Sequence, residues 1–422
     1  MGRLRGRPRS WYLVAGVCAF ALFAAACSSG GGANEGSGSG PIKVGFLAPL
    51  SGNFASNGKS EQAGWNLGLK DAGDTVNGRK VQTLFADTAA DPNQGLSQTR
   101  QLIDNQHVDV MIGPLAANVG LAVRAKLASS KVPSLYAAAC PVELATTQKA
   151  DNIILTGWSC DQPSLPFGKY AYDTLGYRHI TTIGLDFAFG WQVVGGFLST
   201  FKAAGGTVDK QIWNPTTTTD FSSYVSQIPR TTQAVFALES GAGATKFLQA
   251  YKQFGLKGKI PLLGGGTLTD YSSLGADSPA IAEGVITSLQ YADGIDTPEN
   301  KAFVDAYKAA AGTYPSYYAE SGYATAKLVV EALKKLNGDT SDKAKLLEAL
   351  KSVPIQAARG PVSIEGSTNS PVQNIYIRKV EVVNGDLRNV PIETVQDVQP
   401  WGSLPQDQWQ KQASNYTRTS FQ

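Results

Sequence analysis

Histidine is almost missing from this chain: 422 residues hold two, His107 and His179, in separate segments. A zinc site built on a cysteine pair wants two further ligands, and no segment supplies both. A Ser-His-Asp triad has few places to form, and neither histidine adjoins a nucleophile elbow, because Leu238-Glu-Ser240-Gly-Ala lacks the first glycine of Gly-x-Ser-x-Gly. Ser56-Asn-Gly-Lys59 has the Ser-x-x-Lys spacing of penicillin-binding enzymes, but no Ser-Asp-Asn or Lys-Thr-Gly follows it. Gly241-Ala-Gly243-Ala-Thr-Lys246 lacks the third glycine of a dinucleotide loop and reads as a tight strand-to-helix turn with exposed N–H groups. These gaps argue against catalysis and against a metal or other cofactor.

Excess charge is missing as well. Four positive charges are the arginines of MGRLRGRPRS, and without them the formal +3 becomes about −1. No basic patch remains for a nucleic acid. After Ala26 no apolar run reaches the ~20 residues of a membrane-spanning helix.

What the chain does have begins at its first residue. The basic start runs into an apolar stretch from Trp11 to Ala26, too short to span a bilayer and followed by polar sequence, which reads as a secretory leader over 1–26. Leu22 to Ala26 before Cys27 resembles a lipobox, so Cys27 is expected to become the lipidated first residue, a membrane anchor on the outer face of the cytoplasmic membrane. Ordinary cleavage at Ala-x-Ala, leaving a free Cys27, is the alternative. The Gly/Ser tract up to Gly40 makes 27–40 a tether. Cys18 leaves with the leader, and the remaining pair, Cys140 and Cys160, is expected to form a disulfide in an exported chain. Closing about 20 residues, it stabilises by roughly 3 kcal/mol in the chain-entropy model.

From Ile42 short β-branched runs alternate with helix-period segments. IKVGFLAPL, KVQTLFAD, VDVMIG and VPSLYAAA read as strands between helical stretches, and the rhythm restarts after TGWSCDQPSLPFG with HITTIGLD, QAVFALES and KIPLLGGG. This predicts an α/β protein with two doubly wound parallel-sheet lobes whose ligand site lies at the strand C-terminal ends. Two long helices and two late strands, GPVSIEG and QNIYIRKVEVVNG, follow. The polar tail 391–422 gives no readable pattern. The aromatic loop Asp186-Phe-Ala-Phe-Gly-Trp191 falls just past a strand end, where Phe187, Phe189 and Trp191 serve either the core or an apolar ligand floor.

Gly45-Phe-Leu-Ala-Pro-Leu-Ser-Gly52, Asp87-Thr-Ala-Ala-Asp-Pro92, Met111-Ile-Gly-Pro114, Val132-Pro-Ser134, Phe189-Gly190, Asp220-Phe-Ser222, Ala282-Glu-Gly284 and Tyr323-Ala324 stand in order. Together they resemble the type I periplasmic binding proteins of the leucine/isoleucine/valine-binding family over roughly 41–385. The resemblance implies a three-crossing hinge, placed near 158–164, 287–292 and 357–363. Lobe 1 is then 41–160 plus 290–357, and lobe 2 is 161–289 plus 358–390. It implies a monomeric extracytoplasmic receptor that hands a small ligand to the permease and ATPase subunits of an ABC importer, or a sensor feeding a membrane signalling protein.

In amino-acid-binding relatives a serine, a backbone oxygen with a threonine, two tyrosines and a glutamate clamp the ligand. These fall here on Ala117, on Ala138 and Cys140, on Phe189 and Ser240, and on Gly266. Most of the polar clamp is absent, and a buried ammonium without an anionic partner costs several kcal/mol. Glu239 is either a substitute anion or a solvated loop acid. With Phe54, Tyr136, Phe189 and Tyr318 expected at the cleft, the favoured ligand is an aromatic or apolar carboxylate or amide, its oxygens held by backbone N–H groups near Asn118, Ala139 and the Gly241 turn. A branched-chain or other amino acid held by an altered clamp is the alternative.

Overall fold

The computed structural model describes residues 40–274, 279–413 and 415–421. The leader and Cys27 lie outside these residues. No helix among the described residues is long and apolar enough to cross a membrane.

The first sheet contains β1 (Ile42–Ala48), β2 (Thr75–Val76), β3 (Arg79–Asp87), β4 (Val110–Ile112), β5 (Ser134–Tyr136) and β6 (Ile153–Leu155), in the order β2-β3-β1-β4-β5-β6. All pairs are parallel except the β2–β3 hairpin. Beyond Lys43 at its start, β1 is buried on both faces, as the apolar run Val44–Ala48 demands of a central parallel strand. Helices α1 (Ala55–Ala72), α2 (Pro92–Arg100) and α3 (Ala117–Ser130) connect these strands.

The second lobe runs through α4 (Ser164–Asp173), β7 (His179–Leu185), α5 (Ala188–Ala203), β8 (Thr207–Asn214), α6 (Ser222–Val225), β9 (Ala234–Leu238), α7 (Ala242–Gln253), β10 (Leu262–Gly265), α8 (Pro279–Ala282) and β11 (Ile286–Leu289). The chain then returns to the first lobe as α9 (Pro298–Ala311), α10 (Tyr317–Lys335) and α11 (Lys343–Ser352). The two helices α1 and α10 lie in direct contact. A Cβ at Gly64 would stand 1.9 Å from the Ala319 carbonyl oxygen, so only glycine permits this approach.

β12 (Ile355–Ala357), β13 (Gly360–Glu365), β14 (Ser370–Val383) and β15 (Asp386–Val398) complete the second sheet, and α12 (Gln406–Ala413) follows. The order is β12-β13-β14-β11-β10-β9-β7-β8, with β15 beside β14. β7 to β11 are parallel, but β12 to β15 pair antiparallel. The second lobe therefore departs from a purely parallel sheet. Asn384 and Gly385, at φ 54° and 87°, form the two-residue turn between β14 and β15, and so short a connection permits only antiparallel pairing.

That strand also crosses the boundary drawn at residue 390, and the tail beyond it is structured. Trp409 of α12 is fully buried, its indole N–H donating to Asp161 Oδ2 at 2.6 Å.

The chain passes between the lobes over 156–163 and over 290–297, and again after α11, where β12 pairs with the second sheet while its Ile355 still packs in the core under α10. One guanidinium ties the region together. Arg359, 1% exposed, pairs with Glu320 of α10 at 2.5 Å, donates to the Thr156 carbonyl of the first crossing at 2.7 Å, and donates to Gln373 of β14 at 2.9 Å.

Candidate functional site

The C-terminal ends of β1, β3, β4 and β5 face those of β7, β8 and β9 across a cavity of about 170 Å³. Asn53 and Phe54 follow β1, Ala89 and Ala90 follow β3, Leu115 to Asn118 follow β4, and Ala138 and Cys140 follow β5. Phe187 and Phe189, Thr216 and Thr217, and Ser240 come from the second lobe, while Tyr317 and Tyr318 open α10. Among the described residues no charged side chain lines the space.

Hydrogen bonds hold the lobes against each other around it. Asn53 Nδ2 donates to the Thr216 carbonyl at 3.1 Å, the Ala242 N–H to the Asn53 carbonyl at 3.3 Å, and Asn57 Nδ2 to Ser240 Oγ at 3.1 Å. On one side Gln192 of α5 accepts from the Val142 N–H and donates to Glu143. On another, the Tyr317 N–H donates to Asp270 Oδ2 at 3.0 Å. This is a closed cleft.

The aromatic wall is built from local sequence. Phe187 caps α5 and Phe189 sits in its first turn, because β7 ends at Leu185 and the chain must turn sharply there. Gly190 permits the turn: a Cβ would stand 1.8 Å from the Leu185 carbonyl oxygen. Trp158 of the first crossing meets Phe189 and Tyr317 edge-on, with centroids 5.9 and 5.6 Å away, and donates its indole N–H to the Ala138 carbonyl at 2.9 Å. Cys140 on the wall is disulfide-bonded to Cys160, tying the loop after β5 to the first crossing.

Four of the helices that begin near the cavity are not capped by side chains. The N-caps of α1, α3, α5 and α7, which are Phe54, Ala116, Phe187 and Gly241, make no capping hydrogen bond. Asp91, Thr297, Ser316 and Asp342 do cap α2, α9, α10 and α11, and two of these, α2 after Ala90 and α10 with Tyr317, also begin at the cavity. The first-turn N–H groups of α3, at Ala117 and Asn118, thus border the cavity with a helix dipole behind them, an arrangement that favours an anionic oxygen.

Of the residues singled out from sequence, Phe54, Ala117, Asn118, Ala138, Cys140, Phe189, Ser240 and Tyr318 meet at this cavity. Four do not. Tyr136 turns into the first-lobe core, where its hydroxyl donates to the Gly120 carbonyl at 3.0 Å, since β5 is buried on both faces. The Ala139 N–H is taken by the Pro114 carbonyl at 3.3 Å. Gly266 packs against Leu289, and its carbonyl accepts from the buried Arg378. Glu239 is fully buried beneath α7, where a Cβ at Gly243 would come 3.3 Å from its Oε2. Burial holds its carboxyl well above the usual range, so it is neither a solvated acid nor an anion facing the ligand. Trp191 likewise turns aside to donate to Asp186. Asn53, Ala89, Ala90, Thr216, Thr217 and Tyr317 went unnoticed in the sequence. The threonine run after Pro215 and the Tyr-Tyr pair at a helix start were the available signals.

Comparisons place this geometry. Residues 41–386 match the model of the periplasmic binding protein family. A relative named Leu/Ile/Val-binding protein homolog 6, from Brucella melitensis, is 32% identical over 366 residues, covering 84% of this chain and 91% of its own. A solute-binding protein of an ABC transporter from Rhodopseudomonas palustris BisB5, solved with 3,4-dihydroxybenzoic acid, superposes with a TM-score of 0.79 at 32% identity, covering 85% of this chain and 98% of its own. Another R. palustris solute-binding protein, solved with 4-hydroxybenzoate, superposes with a TM-score of 0.80 at 27% identity, covering 86% and 99%. The chain belongs to the periplasmic binding protein family, as a type I member.

Proposed function

We propose that this protein captures a small aromatic carboxylate between its lobes and delivers it to the permease and ATPase subunits of an importer. The observation that carries the ligand class is the cavity itself, which is walled by aromatic rings, empty of charged side chains, and met by the uncapped N-terminus of α3. Its volume of about 170 Å³ falls below the ~300–1,000 Å³ of pockets for drug-sized molecules, in keeping with a single ring. An amino acid fits poorly, because its ammonium would be buried with no carboxylate to receive it. The hydroxylated benzoates bound by the two R. palustris proteins support the same class.

Calorimetric titration of the protein with benzoates and with leucine and valine tests this. Benzoates are expected to bind and the aliphatic amino acids not to; the reverse sinks the proposal. Phe189→Ala is expected to weaken the benzoate by about 1–3 kcal/mol through loss of a buried ring contact. Unchanged affinity would assign Phe189 to the core alone.

The proposal includes export through the leader 1–26, lipid attachment at Cys27 and action as a monomer. Membrane fractionation checks the anchor: Cys27→Ala is expected to move the protein from the membrane to the soluble extracytoplasmic fraction.

A further inference from the structure

Ser240 and Tyr318 approach the cavity from different lobes and are both almost fully buried. Their hydroxyl oxygens lie 3.2 Å apart, within hydrogen-bond distance. Asn57 Nδ2 donates to Ser240 Oγ, so one lone pair of that oxygen is already occupied.

Each hydroxyl carries one proton and two lone pairs. The Ser240–Tyr318 pair therefore owns two protons, of which one lies between the two oxygens. Among the described residues the second finds no other acceptor, because the remaining partner of the pair, Asn57, donates to Ser240 rather than accepting from it. Both residues line the cavity, so the surplus O–H is available to a bound molecule. The first turn of α3, which favours the carboxylate, belongs to the first lobe, whereas Ser240 belongs to the second.

We infer that the Ser240–Tyr318 pair is a specificity element that donates a hydrogen bond to a second oxygen on the ligand ring, so that the preferred ligand is a hydroxybenzoate whose hydroxyl stands away from the carboxylate, with 4-hydroxybenzoate as its probe. This rests on the aromatic-carboxylate reading above and adds to it a means of discrimination. A plain benzoate leaves the surplus O–H buried without an acceptor, and a desolvated donor left unpaired is penalised more than a formed bond is rewarded. Because Ser240 and Asn57 come from opposite lobes, the same contact also extends a hydrogen-bond chain that exists only when the cleft is closed.

The test compares dissociation constants of benzoate, 2-hydroxybenzoate, 4-hydroxybenzoate and 4-aminobenzoate for the wild-type protein and for Ser240→Ala, Tyr318→Phe and the double variant. Thermal melts establish that each variant is folded. The wild type is expected to prefer 4-hydroxybenzoate over benzoate on the order of tenfold. 2-Hydroxybenzoate should behave like benzoate, since its hydroxyl lies beside the carboxylate. 4-Aminobenzoate, a donor in place of an acceptor, should gain nothing. In the double variant the ratio of the two dissociation constants should fall to about twofold or less. Equal wild-type affinity for benzoate and 4-hydroxybenzoate overturns the inference while leaving the aromatic-carboxylate reading intact. A preference that survives in the double variant assigns discrimination elsewhere and overturns it too. Failure of every benzoate to bind removes the reading of the site and this inference with it. The ligand series stands even if a variant does not fold.

Discussion

Arg359→Met is expected to lower the unfolding free energy by about 3–5 kcal/mol, the effect of removing one partner of a buried ion pair. The loss comes from what is left behind. Glu320, 0% exposed, would keep its charge in a dry interior without its counterion, and the Thr156 carbonyl and Gln373 would lose their donors. The stability of the intact pair is a separate quantity, because desolvating two charges offsets most of their attraction. The double variant Arg359→Met, Glu320→Leu should therefore recover much of the loss. Urea unfolding of wild type, single and double variants measures all three. A single-variant loss below ~1 kcal/mol would mean that water reaches Glu320 and that the crossings do not depend on this guanidinium. The location makes the result functional as well: α10, the first crossing and β14 all meet at Arg359, so loosening it frees the joint about which the lobes open.

Stability is expected to fall as pH rises from about 5 to about 9, opposite to the usual behaviour of a protein with ion-paired carboxylates. Glu61 of α1 is fully buried, neither carboxyl oxygen has a hydrogen-bond partner, and burial pushes its pKa up to about 8. Between its ordinary value of 4.5 and about 8, the folded protein keeps a proton that the unfolded chain releases. Raising the pH through that window favours unfolding, and above it the contribution is constant. Asp161, pushed up to about 7 mainly by burial, acts with the same sign.

Glu61→Gln is expected to abolish about 2–3 kcal/mol of the loss between pH 6 and pH 9, at 1.36 kcal/mol per pH unit of proton linkage. Urea unfolding at both pH values decides the matter. Identical pH profiles for wild type and variant would show that Glu61 is hydrated. Tyr317 on the cavity wall is held above its ordinary value mainly by burial and in the smallest part by Glu61, so the charge state of Glu61 also bears on binding. Held neutral at pH 7, it leaves the cleft hospitable to an anion.

How much of the site was legible depended on the kind of contact. The family resemblance pointed to Ala117, Ala138, Phe189 and Ser240, and with Phe54 they lie just past strand ends, where a parallel sheet with helical crossovers forces its loops to one edge. The rule places a backbone position but does not orient a side chain. Glu239 and Ser240 are neighbours at the end of β9, yet one carboxyl runs beneath α7 while the next hydroxyl reaches the cavity. Tyr136, at the end of β5, was expected at the cleft and instead supports α3 from below. Asn384-Gly385 between two β-rich runs announced a hairpin in its own right, and reading it would have extended the second lobe to Val398.

By itself the sequence determined the two lobes, their βαβ winding, the Cys140–Cys160 pair and a cleft poor in charge, because strand length, hydrophobic period and residue chemistry are local properties written in consecutive positions. Only the tertiary structure decided which polar groups meet. The Arg359–Glu320 pair spans 39 residues, the Trp409–Asp161 bond 248 and the Asn57–Ser240 bond 183. Such contacts follow from how two sheets and three crossings pack in space, and no periodicity along the chain encodes that distance.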